Sequence, residues 1–254
     1  MLERRTFGDF HALVGGNGRQ LLYIHGFPDC PATATPFLEA LIARGFRVVA
    51  PWLRGYAQSP VHGPYDGATL VADLRRIMND EPWPVVGHDW GAALTYVLCQ
   101  ELPIARAVTL AVPPPRVFMQ QLRTPRQMLH SWYMAFFQLP LADRLVGTRF
   151  IDMLWRRWSP GFELDHPRRK MLHACMRESL PAPLEYYRAF ARSALTGEVR
   201  ETLRKSSHAE ILALHGADDG CVLPPRGSTI VPNVGHFLHL EAPDEIAARV
   251  AAWL

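Results

Sequence analysis

Apolar positions along the chain follow two periods. Short apolar runs at 46–50, Trp83-Pro-Val-Val-Gly87 and Ala105 to Val112 have the length and branching of buried strands. Between them, at 36–44, 67–79 and 90–101, apolar residues recur three and four apart, which predicts helices. Ahead of these, residues 6–14 and 21–26 read as two strands, and Gly15-Gly-Asn-Gly18 between them has the residues of a hairpin turn. Strands that alternate with helices predict a mostly parallel sheet with right-handed crossovers, so the expected class is α/β.

The alternation stops at Pro113-Pro-Pro115. From 116 to 205 the chain is aromatic-rich and helix-like, too apolar and too long for a structureless loop. Strand-like sequence returns at Ile211-Leu-Ala-Leu-His215 and near Ser228 to Val231, and a helix is expected from Pro243 to Leu254. The reading is therefore an α/β core of residues 1–115 and 206–254, with 116–205 inserted as a helical cap. Open sheets bind ligands beyond the carboxyl ends of their strands, and the cap is expected to cover that end.

Composition agrees with a packed globular chain. Of its 254 residues, 48% are hydrophobic and 20% charged, and the mean hydropathy is −0.04. No apolar run approaches the ~20 residues of a membrane span, and no apolar segment follows the first basic residues as in a secretory signal. No membrane partner and a cytoplasmic location are the expectation. The net charge is +3, with arginine supplying nearly all the cations. Arg156, Arg157, Arg168, Arg169 and Lys170 form no dense stripe, so no nucleic-acid partner is expected. Cys30, Cys99, Cys175 and Cys221 are widely spaced, which points to neither a metal nor a disulfide framework. Oligomeric state is not legible.

Gly87-His-Asp-Trp-Gly91 follows a buried strand and opens a helix. In that setting it reads as a nucleophile elbow, where flanking glycines let strand and helix approach and the central side chain is presented above the sheet. That side chain is Asp89. An isolated motif of this kind would more often be a helix N-cap aspartate in a glycine-rich turn. Its partners decide: an acid and then a histidine must follow at the ends of later strands. Asp218-Asp219 lies just past the 211–215 strand and His236 just before the last helix, with Asp219 preferred as the end of a G-x-x-D pattern.

With His25-Gly-Phe-Pro28, Arg54-Gly-Tyr56, Gly87 to Gly91, Gly216 to Asp219 and Gly235-His-Phe237, the chain resembles α/β-hydrolase-fold proteins along nearly its whole length. A carboxylate nucleophile suits displacement at saturated carbon, giving an ester that water then cleaves. Among relatives with that nucleophile, the chain is similar to haloalkane dehalogenases in Trp90, although many of those have a polar Asn where this chain has Phe27. Fluoroacetate dehalogenases have Arg where Trp90 stands. Epoxide hydrolases carry two cap tyrosines, and Ser131 to Pro140 and Pro183 to Arg188 look like the segments that hold them, with Tyr133 and Tyr187 in those positions. Phenols are protonated at neutral pH and can donate to an opening epoxide oxygen.

The resemblance thus implies hydrolysis of a small apolar epoxide without cofactor or metal. Asp89 would attack, Tyr133 and Tyr187 would protonate the oxygen, and His236, oriented by Asp219, would activate water. The backbone N–H groups of Phe27 and Trp90 would form the oxyanion hole, and Phe27, Trp90 and Trp132 would contact substrate. A haloalkane dehalogenase with the same triad is the alternative, and a ligand-binding protein that has lost turnover is a second one.

Three features depart from the pattern. Trp52 stands where relatives have Asp, and Ala57 replaces a glycine. Only 17 residues separate Asp219 from His236, leaving little room for the usual crossover helix. Either that helix is reduced to a turn through Val222 to Gly227 or the sheet edge is rearranged. His25 and His88 are expected to be structural, neither with a second ligand at metal spacing, while His239 and Glu241 are expected to position the His236 loop. Cys30 is expected near the site's mouth.

Overall fold

The computed structural model describes residues 1–197, 204, 205, 207 and 209–254. Eight strands form one sheet in the order β1-β2-β4-β3-β5-β6-β7-β8. They are β1 (Glu3–Phe7), β2 (Phe10–Gly15), β3 (Arg19–Ile24), β4 (Phe46–Pro51), β5 (Val85–His88), β6 (Arg106–Leu110), β7 (Glu210–Gly216) and β8 (Thr229–Val231). From β4 to β8 every pairing is parallel, and β3 and β5 are buried along most of their length.

The amino-terminal edge differs from the sequence reading in two ways. The single strand expected at 6–14 is a hairpin, turned at Gly8 with φ +57° and pairing β1 with β2. Gly15 to Gly18 is not a hairpin turn, because β2 pairs antiparallel with β4 and β3 lies on the far side of β4. The glycines serve a close crossing instead. A Cβ at Gly16 would lie 2.1 Å from the Phe46 carbonyl oxygen, and one at Gly18 would lie 1.7 Å from that of Gly45. Only bare backbone can pass the start of β4 there.

Helices α1 (Thr35–Ala43), α2 (Gly67–Met78), α3 (Trp90–Glu101) and the last helix, Pro243–Trp253, flank the sheet. The α2 ends carry their stop signals: the Asp66 carboxylate accepts the Thr69 N–H, and Asn79 closes the helix in the left-handed region. Between β6 and β7 stand α4 (Pro115–Gln121), α5 (Pro125–His130), α6 (Trp132–Phe136), α7 (Ala142–Leu145), α8 (Thr148–Trp158), α9 (His166–Ser179) and α10 (Glu185–Thr196). The expected boundary of this insert at 205–206 falls where the described residues are interrupted. No described helix is long and apolar enough to cross a membrane.

The loop carrying Trp52 and Ala57 is held by the core and the insert together. Arg54 makes a bidentate pair with the buried Asp73 at 2.6 and 2.8 Å, and this carboxylate holds the guanidinium pKa up. The Tyr186 hydroxyl donates to the Arg54 carbonyl at 2.6 Å, and the Ser179 hydroxyl accepts the Ala57 N–H at 2.7 Å. Trp52 is buried beneath the Arg4 guanidinium.

The short crossover resolves as the first of its two expected forms. Turns and bends connect β7 to β8, which still pairs parallel to β7. The end of α8 occupies the gap. The Trp158 carbonyl accepts both the Gly220 N–H and the His236 N–H at 3.0 Å, joining the acid's loop to the histidine's loop. Ser159 accepts the Phe237 N–H and donates to Glu241, whose other oxygen accepts the Gly235 N–H. Glu241 thus ties down the His236 loop. Gly235→Ala would place a Cβ 2.5 Å from the Ser159 Cα, so urea unfolding is expected to show a loss of ~1–3 kcal/mol. An unchanged unfolding midpoint would contradict this packing.

Candidate active site

The β5-to-α3 turn sets the geometry of Asp89. Its φ of +52° is a strained value for a residue with a Cβ, and the turn is held by backbone contacts on both sides. A Cβ at Gly91 would lie 2.0 Å from the Ile24 carbonyl oxygen, and one at Gly26 would lie 2.4 Å from the Asp89 Cβ. The side chain projects beyond the carboxyl ends of the strands. There Oδ1 accepts the Phe27 N–H at 2.8 Å, so the Phe27 amide stands where an oxyanion donor is needed. The Trp90 amide forms no bond to this carboxylate.

His236 is fully buried above Asp89. Its Nδ1 lies 3.0 Å from Asp219 Oδ2, and its Nε2 lies 3.6 Å from Asp89 Oδ2 with no hydrogen-bond partner of its own. The other Asp219 oxygen accepts the N–H groups of Cys221 at 2.7 Å and Val222 at 2.9 Å, which fixes the carboxylate. Asp218, the adjacent aspartate, is exposed and makes no such contact. Burial disfavours the imidazolium, but the neighbouring groups raise the His236 pKa well above its ordinary value. Burial also pushes the Cys221 thiol up to about 11, leaving it neutral at pH 7. The charge that raises His236 is therefore that of Asp219 and Asp89.

Tyr133 from α6 and Tyr187 from α10 meet Asp89 in one small apolar cavity, completed by residues such as Trp90, Phe118, Met134 and Phe190. The two tyrosine rings pack edge to face at 5.6 Å. The Tyr187 hydroxyl makes no complete hydrogen bond and has Trp90 as its polar neighbour, whereas that of Tyr133 lies 3.3 Å from Cys221 Sγ. Burial, with added negative charge from Asp89, holds both phenols well above their ordinary pKa. A wider hollow lined by Arg19, Trp83 and Arg106 lies at the amino ends of the strands and contains none of this chemistry.

Two expected substrate contacts are placed elsewhere. Trp132 packs on Phe136 and Phe150 and does not line the cavity, because Tyr133 and Met134 take the inward positions of its short helix. The Phe27 ring is buried against Phe137 and Tyr187, leaving its amide to face Asp89. Cys221 was missed by the sequence reading, although its place two residues after Asp219 was a signal.

His88 also differs from expectation, because the fold sets Asp29 and His239 beside it with possible ligand atoms all within 4.8 Å. These three buried side chains could share a cation, yet each has a protein partner. The His88 Nε2 faces the His236 carbonyl at 3.0 Å, the His239 Nε2 faces the Tyr23 hydroxyl at 2.8 Å, and Asp29 accepts from the Thr33 hydroxyl. Burial pushes Asp29 up to about 6 and His239 down to about 3.

A family model for the alpha/beta hydrolase fold matches residues 20–243, and the chain belongs to that family. Relatives within it point to one branch. The chain is 25% identical over 294 residues to Epoxide hydrolase A of Mycobacterium tuberculosis, covering 92% of this chain and 89% of that one. It is 32% identical over 142 residues to human Epoxide hydrolase 4, covering 52% of this chain but only 39% of the relative. The crystal structure of Epoxide Hydrolase A from Mycobacterium thermoresistibile superimposes with a TM-score of 0.82 at 22% identity, covering 100% of this chain and 98% of that one.

Proposed function

We propose that the protein hydrolyses a small apolar epoxide to a vicinal diol through a covalent ester on Asp89. The convergence of Tyr133 and Tyr187 on Asp89 inside one apolar cavity carries this reading. Asp89 Oδ2 attacks a ring carbon and the carbon–oxygen bond breaks. The hydroxyls of Tyr133 and Tyr187 hydrogen-bond the departing oxygen, and one of them gives it a proton, leaving a phenolate that the other stabilises. Oδ1 becomes the ester carbonyl oxygen, held by the Phe27 N–H. His236 then takes a proton from water as its hydroxide adds to the ester carbonyl carbon. On collapse the imidazolium returns that proton to Oδ2, which leaves with the diol, and the new Asp89 carboxyl gives its own proton back to the tyrosine phenolate. The developing oxyanion on Oδ1 is met by the Phe27 amide, a contribution of about 3 kcal/mol in comparable sites.

Ester formation also prepares the second step. It removes the Asp89 charge beside His236, so the imidazole pKa falls when a neutral base is needed. A single turnover in heavy-oxygen water is expected to label the Asp89 carboxylate. Label that enters the diol directly in that turnover, with none on the protein, would exclude the covalent route.

The tyrosine assignment has a signature in pH. Both phenols have raised pKa values, so their protonated form persists above pH 10, where an exposed tyrosine ionises. The rate of ester formation is expected to stay level through pH 10. A decline centred at or below that pH would remove the tyrosines as proton donors.

One observation favours a second reading. Trp90 lines the cavity, and its buried indole N–H, with the Tyr187 hydroxyl as polar neighbour, makes no complete hydrogen bond and is a donor of the kind a halide needs. Diol formation from styrene oxide compared with halide release from a bromoalkane separates epoxide hydrolase from haloalkane dehalogenase. The His236–Asp219 contact supports turnover over the retained binding shell alone.

A further inference from the structure

We propose that the outer face of the cap around residues 139–149 is a docking surface for an anionic lipid bilayer. Large apolar side chains exposed to solvent are ordinary when scattered, but here they are concentrated. Five of the nine such side chains among the described residues, Met128, Leu129, Leu139, Leu141 and Leu145, fall between positions 128 and 145. Leu141 and Leu145 are 54% and 55% exposed and four residues apart, which puts them on one side of α7, while Ala142 and Val146 turn inward. Nothing in the fold covers the outward pair.

Charge indicates what does. Arg144 and Arg149 stand beside Leu141 and Leu145, and along the chain Arg123 and Arg126 precede Met128 and Leu129, all four arginines exposed and none in an ion pair among the described residues. The only acid in 123–149 is Asp143, already paired with Arg188 at 2.6 Å. The imbalance extends to the whole insert. Residues 116–205 contain sixteen Lys and Arg against eight Asp and Glu, although the chain is only +3. A second copy docked through a twofold axis would set these arginines against one another. Exposed leucines between the cations do not suit nucleic acid. A bilayer surface with anionic headgroups accommodates both, with leucines at the acyl boundary and arginines among the phosphates. The contact would be peripheral, and it would place lipid beside the segment whose inner side chains, Tyr133 and Met134, line the cavity.

Co-sedimentation of the intact protein with vesicles tests this without any substrate, so its outcome is independent of the proposed reaction. Vesicles of phosphatidylglycerol mixed with phosphatidylcholine are expected to bind the protein at least ~10-fold more tightly than phosphatidylcholine alone, and high salt should weaken the binding. Arg144→Gln/Arg149→Gln is expected to lose ~10-fold or more of that binding, at roughly 5-fold per charge. Leu141→Ser/Leu145→Ser should lose a comparable amount, with circular dichroism unchanged for both variants. Equal affinity for neutral and anionic vesicles, no binding to either, or binding unaffected by both substitutions would overturn the proposal. So would a concentration-dependent dimer that the leucine substitutions abolish, because it would assign the face to a second copy.

Discussion

His236→Gln is expected to form the ester on Asp89 at close to the wild-type rate and then stall, with steady-state turnover reduced by ~10²–10⁴. The nucleophile is already an anion and needs no base, whereas the attacking water must lose a proton. Intact-protein mass spectrometry after mixing with styrene oxide would show a stable adduct of substrate mass. The geometry adds a further expectation. In the free enzyme, Nε2 lies 3.6 Å from Asp89 Oδ2 and Nδ1 lies 3.0 Å from Asp219 Oδ2. Both charges favour the imidazolium, and ester formation removes the first. The His236 pKa read by NMR in free wild-type enzyme should therefore exceed the apparent pKa of the ester-hydrolysis phase. If His236→Gln neither gains mass nor turns over, His236 is not the hydrolytic base.

The second large effect is expected for Tyr133→Phe/Tyr187→Phe. Removing both hydroxyls leaves the epoxide oxygen to depart unprotonated in an apolar cavity, and ester formation should slow by ~10²–10⁴. Stability should change little at position 187, where the hydroxyl makes no complete hydrogen bond and only neighbours Trp90. At position 133 the lost contact with Cys221 Sγ is a weak one. Burst kinetics locate the effect, because a deficit confined to ester formation distinguishes proton donors from packing aromatics. If the double variant alkylates at the wild-type rate, the cavity is an aromatic wall and the halide reading gains ground.

Whatever depends on local period and local backbone sterics was readable along the chain. The parallel strands and their helices were legible because a strand buried on both faces and an amphipathic helix have different hydrophobic periods. The Asp89 elbow was legible because the turn demands glycines at 87 and 91, where a Cβ would collide with backbone. Features that depend on residues far apart in the chain emerged only in the folded molecule. Gly15 to Gly18 has a hairpin's composition, but the start of β4, some thirty residues later, makes it a close crossing. Nothing near His236 foretold that the Trp158 carbonyl would hold it beside Asp219 in place of a crossover helix. Trp132 and Tyr133 are adjacent aromatics, and only the packing of α6 against Phe150 and α10 turned one outward and the other onto Asp89. A local pattern records which side of an element is apolar, whereas the partner that meets that side is chosen when distant segments exclude water together.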